Sequence, residues 1–428
     1  MGRTVRQIRR KGKSGPAVSD GPEGVTVPTG GEGEAVSSEV ALIQALIPVA
    51  LARVQERLLE ELTELAGPRY ARRDEAPHRV RWGHQAGSVY LGEQKVPLEV
   101  PRVRDRVTNS EVGLPTYRAL QQPREADRTL LRAILGGLST REYGACVRLV
   151  PDAFGLSASS VSRRFRRASH RYLQALQERP LGGYGFVAVV LDGKAFAEDE
   201  MVLAVGVTVT GEKVILGVVQ TATENRPVCS AFLRSLLARG LHVDEGILVV
   251  VDGAKGLAAA VREVFGSRGV LQRCQWHKRE NVVRYLPKAH QVAFRRKLQA
   301  AYEQPTYERA KRALRQVRRE LLLVNSSAVA SLDEGLEETL TLHRLGAFGA
   351  LGVSLKTTNV LESIHARVAS RTDKVDHWKN SAQKHRWVVT ALLELEPRLN
   401  RIKGHRALPR LQLALKRALR GAIQTAVA

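Results

Sequence analysis

Cysteine is almost missing from this chain. Its 428 residues hold three, Cys146, Cys229 and Cys274, odd in number and far apart. That excludes a disulfide framework and suits a reducing cytoplasm. Long hydrophobic runs are missing too: the longest, Val40 to Ala52, is broken by Gln44 and Pro48 and is too short to span a bilayer. The basic N-terminus leads into Gly, Ser and Pro, not into the apolar core of a signal peptide. A soluble cytoplasmic protein without a membrane partner is expected. Acidic side chains are in short supply, 43 Asp and Glu against 67 Lys and Arg, which leaves a net charge of +24. A surplus on that scale points to a polyanionic partner, with solubility as the bland alternative.

The surplus is uneven. Residues 201–250 carry four basic and four acidic side chains, residues 251–300 eleven and three, and residues 401–428 seven and none. A neutral stretch beside basic ones fits a catalytic sheet flanked by nucleic-acid grips. Hydrophobic residues make up 43% of the chain, enough for several domains with a sizeable core.

Residues 1–38, rich in Gly, Pro, Ser, Glu and Arg, read as a disordered tail. From about Val40 to Ala66 the pattern is helical, with Val54, Leu58, Leu62 and Leu65 on one face and Gly67-Pro68 as the stop. Trp82 to Arg106 alternates like a small hairpin. Residues 124–180 read as helices. Ser139-Thr-Arg-Glu142 resembles a capping box, and Ser157-Ala-Ser-Ser160 feeds Val161-Ser-Arg-Arg-Phe-Arg-Arg167. A short turn followed by Ser and Arg at a helix start suits a helix-turn-helix reader of DNA, with Arg163, Arg164, Arg166 and Arg167 as contacts. Residues 39–181 are therefore expected to form a mainly helical DNA-binding region with a small β segment.

After the linker Leu181–Gly183 come β-rich runs at 186–192, 202–208 and 213–219, the last two joined at Thr210-Gly211. A helix at about 228–239, a strand at 247–252, a helix to Phe265 and a strand at 269–273 follow. Three meander strands, helix, strand, helix, strand is the order of a ribonuclease-H-like sheet. The predicted fold is thus α/β, a mixed five-stranded ribonuclease-H-like sheet over 182–277. A basic helical insertion without strands occupies 278–355, and residues 356–428 carry a further helix and a basic tail. Lys278 and Arg279 open the insertion as candidate DNA contacts.

Three carboxylates stand out in this layout. Asp192 ends Phe186-Val-Ala-Val-Val-Leu-Asp192, Asp252 ends Ile247-Leu-Val-Val-Val-Asp252, and each is followed by Gly. Open α/β sheets put ligands at the C-terminal edges of their strands. With the first and fourth strands side by side, two like charges meet there, which is costly unless cations bind between them. Glu362, in Thr357-Thr-Asn-Val-Leu-Glu-Ser363 at a helix start, would close a two-metal phosphoryl-transfer site. Oxygen donors of this kind suit two Mg²⁺ or Mn²⁺ ions. An Asp-Gly pair also makes ordinary turns, and a Glu in a first helical turn often serves the helix dipole.

Cys274-Gln-Trp-His277 follows the fifth strand at once. A structural zinc wants four ligands, and no second such pair occurs. His277 is better read as a group that meets a phosphate or orients a carboxylate, Cys274 as a small hydrophobe, and Trp276 as core or a base-stacking surface.

Residues 251–260 (Val-Asp-Gly-Ala-Lys-Gly-Leu-Ala-Ala-Ala) leading to 272–281 (Gln-Arg-Cys-Gln-Trp-His-Lys-Arg-Glu-Asn), together with Thr357–Ser363, resemble the signature of bacterial Mutator-type insertion-sequence transposases. Thr223-Glu-Asn225 and Phe232–Gly240 are similar as well, although Cys229 stands where members often have tryptophan. The resemblance implies an aspartate–aspartate–glutamate triad at Asp192, Asp252 and Glu362, with His277 in a C-x-x-H element beside it. It implies cleavage at terminal inverted repeats and joining of 3′ ends to target DNA. The expected partners are double-stranded DNA and further copies of the chain on it, with a nucleoid-associated location. A catalytically silent DNA-binding descendant and a structure-selective nuclease of the same fold are the alternatives; three intact acids oppose the first, and a large region before Asp192 the second.

Overall fold

The computed structural model describes residues 32–70, 78–91, 94–121, 126–141, 143, 156–196, 198–221, 225–375 and 377–427. The chain divides into two compact units, residues 1–87 with 98–119, and residues 88–97 with 120–428.

In the first unit a helix runs from Glu32 to Ala66, so it takes in residues 32–38, which composition alone assigned to the tail. It stops where Gly67 takes a left-handed φ of 72° and its N–H returns to the Thr63 carbonyl. Leu58 and Leu62 on its apolar stripe are buried. Strands β1 (Arg79–Leu91), β2 (Gln94–Asp105) and β3 (Ser110–Val112) form a three-stranded sheet whose far end, residues 88–97, counts with the second unit.

The second unit is built on a five-stranded sheet. Its strands are β4 (Phe186–Phe196), β5 (Asp199–Thr208), β6 (Lys213–Thr221), β7 (Ile247–Val251) and β8 (Gly269–Arg273), in the order β6-β5-β4-β7-β8. β4–β5 and β5–β6 are antiparallel, β4–β7 and β7–β8 parallel. The tight turn at Gly211 closes the β5–β6 hairpin. β4 and β7 are apolar on both faces because both faces are covered. Val189, Leu191, Val249 and Val251 pack against the helices Arg226–Ala238 and Lys255–Phe265, where Cys229 is buried in the same core. Ala188, Val190, Leu248 and Val250 belong to the opposite core, formed with the helices Ala158–Glu178, Asn359–Thr372 and Ser381–Leu395.

Between β8 and Asn359 the chain is all helical, as its composition indicates. The segment has a core of its own, with Val282, Phe294, Leu298, Leu314, Leu321 and Leu332 at its centre. No described helix is long and apolar enough to cross a membrane.

Candidate active site

Strand parity decides which way the first aspartate points. Alternate residues of a strand share a face, and Asp192 follows Ala188 and Val190 onto the face covered by the Asn359–Thr372 helix. That helix packs against β4. The parallel register pairs Leu191 with Val251, so Asp192 and Asp252 are the next residues on two neighbouring strands. β4 does not end at Asp192, as the apolar run suggested. It continues to Phe196, paired only with β5, because β7 stops at Val251. Asp192 therefore lies where β4 loses its parallel neighbour, and it is 6% exposed.

Asp252 is half-buried in the turn after β7, and its Oδ1 accepts the Ala254 N–H at 2.9 Å. This is the turn chemistry that an Asp-Gly pair ordinarily performs, and Gly253 at φ 119° makes it possible. Glu362 is exposed in the first turn of its helix. One turn further on, at i+3, His365 places Nε2 3.9 Å from Asp192 Oδ2. Burial, and then the nearby Lys194 charge, lower the His365 pKa to about 4, so the imidazole is neutral. Its Nε2 is buried without a hydrogen-bond partner.

The link between Asp252 and the Glu362 helix is Cys274. Its N–H donates to the Val251 carbonyl at 2.8 Å, and the Thr358 hydroxyl approaches its Sγ at 3.9 Å. Thr358 is the N-cap of the Asn359–Thr372 helix but makes no side-chain cap to it. The Gln275 N–H donates to the Lys356 carbonyl at 2.9 Å. Burial pushes the Cys274 thiol up and keeps it neutral. The Cys-x-x-His element thus ties the end of β7 to the segment that launches Glu362.

His277 is half-buried with Trp276 edge-on at 4.8 Å, and its Nδ1 has no hydrogen-bond partner. The imidazole that stands against Asp192 is His365, which the sequence reading missed. A lone histidine on a helix carries little signal, but its i+3 spacing from Glu362 was readable.

The proposed DNA contacts divide. Arg163, Arg166 and Arg167 are exposed on the Ala158–Glu178 helix, whose N-cap Ser157 accepts the Ser160 N–H. Arg164 is not exposed: it shares the buried face with Val161, Phe165 and Ala168, and its guanidinium lies 5.8 Å from the Tyr90 ring centre. Lys278 is also interior. Its Nζ donates to the Ser331 and Glu334 carbonyls at 2.8 and 2.6 Å, capping the end of the Ser326–Asp333 helix. Arg279 is mostly buried beside Glu280. Residues 144–155, which would hold the helix before the turn, lie outside the described residues, as do Cys146, Glu142, Thr223 and Glu224.

Carboxylates on β4 and just past the end of its neighbour β7, with a third acid on the helix that packs against β4, are the right donor chemistry for hard divalent cations. Among the described residues, however, no three His, Cys, Asp or Glu side chains are close enough to hold a metal.

The sequence profile described as "Transposase, Mutator family" matches residues 32–400. The chain belongs to the Mutator family of transposases. It is 30% identical over 366 residues to the transposase for insertion sequence element ISRM5 of Rhizobium meliloti (strain 1021), covering 82% of this chain and 88% of that one. It is 26% identical over 360 residues to the transposase for IS256 in transposon Tn4001 of Staphylococcus aureus, covering 81% and 88%. Against the transposase for IS406 of Burkholderia multivorans the identity is 27% over 357 residues, covering 80% and 88%. In this transposase the matched span contains all three acids, His365 and the whole helical insertion.

Proposed function

We propose that this transposase cleaves DNA at the terminal inverted repeats of an insertion sequence and joins the freed 3′ ends to target DNA, with Asp192, Asp252 and Glu362 as its catalytic acids. The supporting observation is the register that makes Asp192 and Asp252 neighbours beneath the helix bearing Glu362. The strand order and the helical insertion agree with a ribonuclease-H-like core. A helix-turn-helix region ending in the Ala158–Glu178 helix would hold the element end, and several copies would act together on DNA near the nucleoid.

In the first step a water oxygen bonds to phosphorus at the element end, the P–O3′ bond breaks, and the strand leaves as a 3′-OH. In the second step that 3′-OH attacks a target phosphodiester and displaces the target's own 3′ oxygen. Two Mg²⁺ or Mn²⁺ ions, held by Asp192, Asp252 and Glu362, would activate the nucleophile and neutralise the leaving oxygen. The residues have narrower tasks. Asp192 brings a carboxylate with little competing water, and Asp252 keeps one oxygen aimed by the Ala254 N–H. Glu362, on a helix end pinned through Thr358 and Cys274, can close over both. His277 would orient the phosphate or a carboxylate from the adjoining helix start.

The test is strand cleavage and joining on a labelled duplex carrying the element end. Asp192→Asn, Asp252→Asn and Glu362→Gln should each abolish both steps and leave duplex binding within about twofold, since metal ligation is not needed to hold phosphates. A variant that cuts at the wild-type rate would remove its residue from the triad.

A further inference from the structure

We propose that a concave basic groove, formed by the Ala158–Glu178 helix, Tyr90 and Lys95 of β1 and β2, and Arg386 of the Ser381–Leu395 helix, clamps the sugar–phosphate backbone of DNA without reading its bases. The proposal rests on the transposase reading only in taking DNA as the polyanion. The groove encloses about 1010 Å³, and among the described residues no acidic side chain lines it. Arg163, Arg166 and Arg167 line one wall, Lys95 and Tyr90 a second, and Arg386 enters from a helix that packs against the first.

In the helical insertion several basic residues face acids: Arg318 pairs with Asp333, Arg295 with Glu280, Lys311 with Glu337 and Lys356 with Glu303. Arg166, Arg167 and Arg386 form no ion pair among the described residues. Burial, and then the nearby Arg166 charge, lower the Arg386 pKa. The Tyr90 ring carries two further cations, Lys95 Nζ at 5.2 Å and Arg164 at 5.8 Å from its centre. Tyr90 therefore holds charges in place at the groove wall, and Arg164 acts from behind it.

The shape separates backbone holding from base reading. A helix that reads bases must enter the major groove with its outer face clear of other elements. Here the arginines of the Ala158–Glu178 helix look into a hollow walled on two sides, which fits a phosphodiester strand better than a whole duplex groove.

The experiment measures binding of the full-length protein to two duplexes of equal length, one carrying the element end and one scrambled, between about 50 and 200 mM salt. Arg386→Gln and Arg166→Gln should each weaken both duplexes by the same factor, about fivefold at physiological salt, and lower the salt slope by about one. Arg386→Lys keeps the charge and should keep the slope. Unchanged affinity in a variant with wild-type melting overturns the proposal, and so does a loss confined to the element-end duplex. If Arg386→Gln does not fold, the solvent-side variant Arg167→Gln gives the same reading of slope and ratio. Wild-type protein that binds neither duplex would overturn the transposase reading and the groove with it. Wild-type binding with unaltered variants overturns the groove alone.

Discussion

His365 Nε2 lies 3.9 Å from Asp192 Oδ2, on the helix that carries Glu362 one turn earlier. The imidazole is buried and neutral, so a modest closure of the helix would let an Nε2–H donate to the carboxylate. Groups that orient a metal-binding carboxylate commonly matter by about 10–100-fold. His365→Ala should lower strand cleavage in that range and raise the Mn²⁺ concentration for half-maximal rate. His365→Asn, which keeps an N–H donor, should recover part of both. Wild-type rate and metal midpoint in His365→Ala would show that the contact is packing alone.

Cys274 should behave as an inert structural thiol. It is fully buried and its pKa is raised by burial. A soluble disulfide reagent at mild pH should label it only after denaturant is added. Cys274→Ala should cost roughly 1–2 kcal/mol of stability, as for a small buried side chain. Its effect on cleavage should be larger than that cost implies, because the Thr358 hydroxyl loses its partner at the start of the Glu362 helix. Rapid labelling of native protein, or stoichiometric zinc in purified protein, would contradict this.

Lys278 supplies a pH signature. Burial lowers its ammonium pKa from the usual 10.5 to about 8. Between those two values the unfolded chain binds more protons than the folded one, so stability rises with pH there. Urea unfolding between pH 8 and pH 10 should show the wild type gaining on Lys278→Met by at most about 1.4 kcal/mol per pH unit. Parallel curves for the two proteins would place the Lys278 pKa elsewhere.

Glu396 joins three elements. It accepts Arg179 at 2.6 and 2.8 Å and the Ile215 N–H of β6 at 2.6 Å. Both side chains are about four-fifths buried. Glu396→Ala leaves a buried guanidinium and a strand N–H without their acceptor, and should cost about 2–3 kcal/mol by chemical unfolding. A loss under about 0.5 kcal/mol would mean that water replaces the carboxylate fully.

Much of the sheet was legible because apolar strands buried on both faces are long and unmistakable, and because Asp192 and Asp252 punctuate two of them. The β5–β6 hairpin was marked by Gly211. The misreadings share a cause. Arg164 and Lys278 were counted by charge in a basic run, whereas helical periodicity puts them with Phe165 and Val282 on packed faces. The length of β4 was missed because polar residues follow Asp192. Strand pairing with β5 carries the backbone onward regardless. His365 depends on how a helix crosses β4, which no local pattern records. The Tyr90–Arg164 contact joins residues far apart in the chain, so spacing could not foretell it.

The helical insertion also has a meaning in time. It separates β8 from Glu362 by a segment with its own core, so a ribosome delivers both aspartates well before the glutamate. At ~5–20 residues per second the delay is several seconds. During it the nascent chain has its five strands and the arginines of the Ala158–Glu178 helix, but neither Glu362 nor Arg386. A chain stopped anywhere in the insertion would lack the third acid and one wall of the groove together, so cutting and full backbone grip arrive with the same late segment.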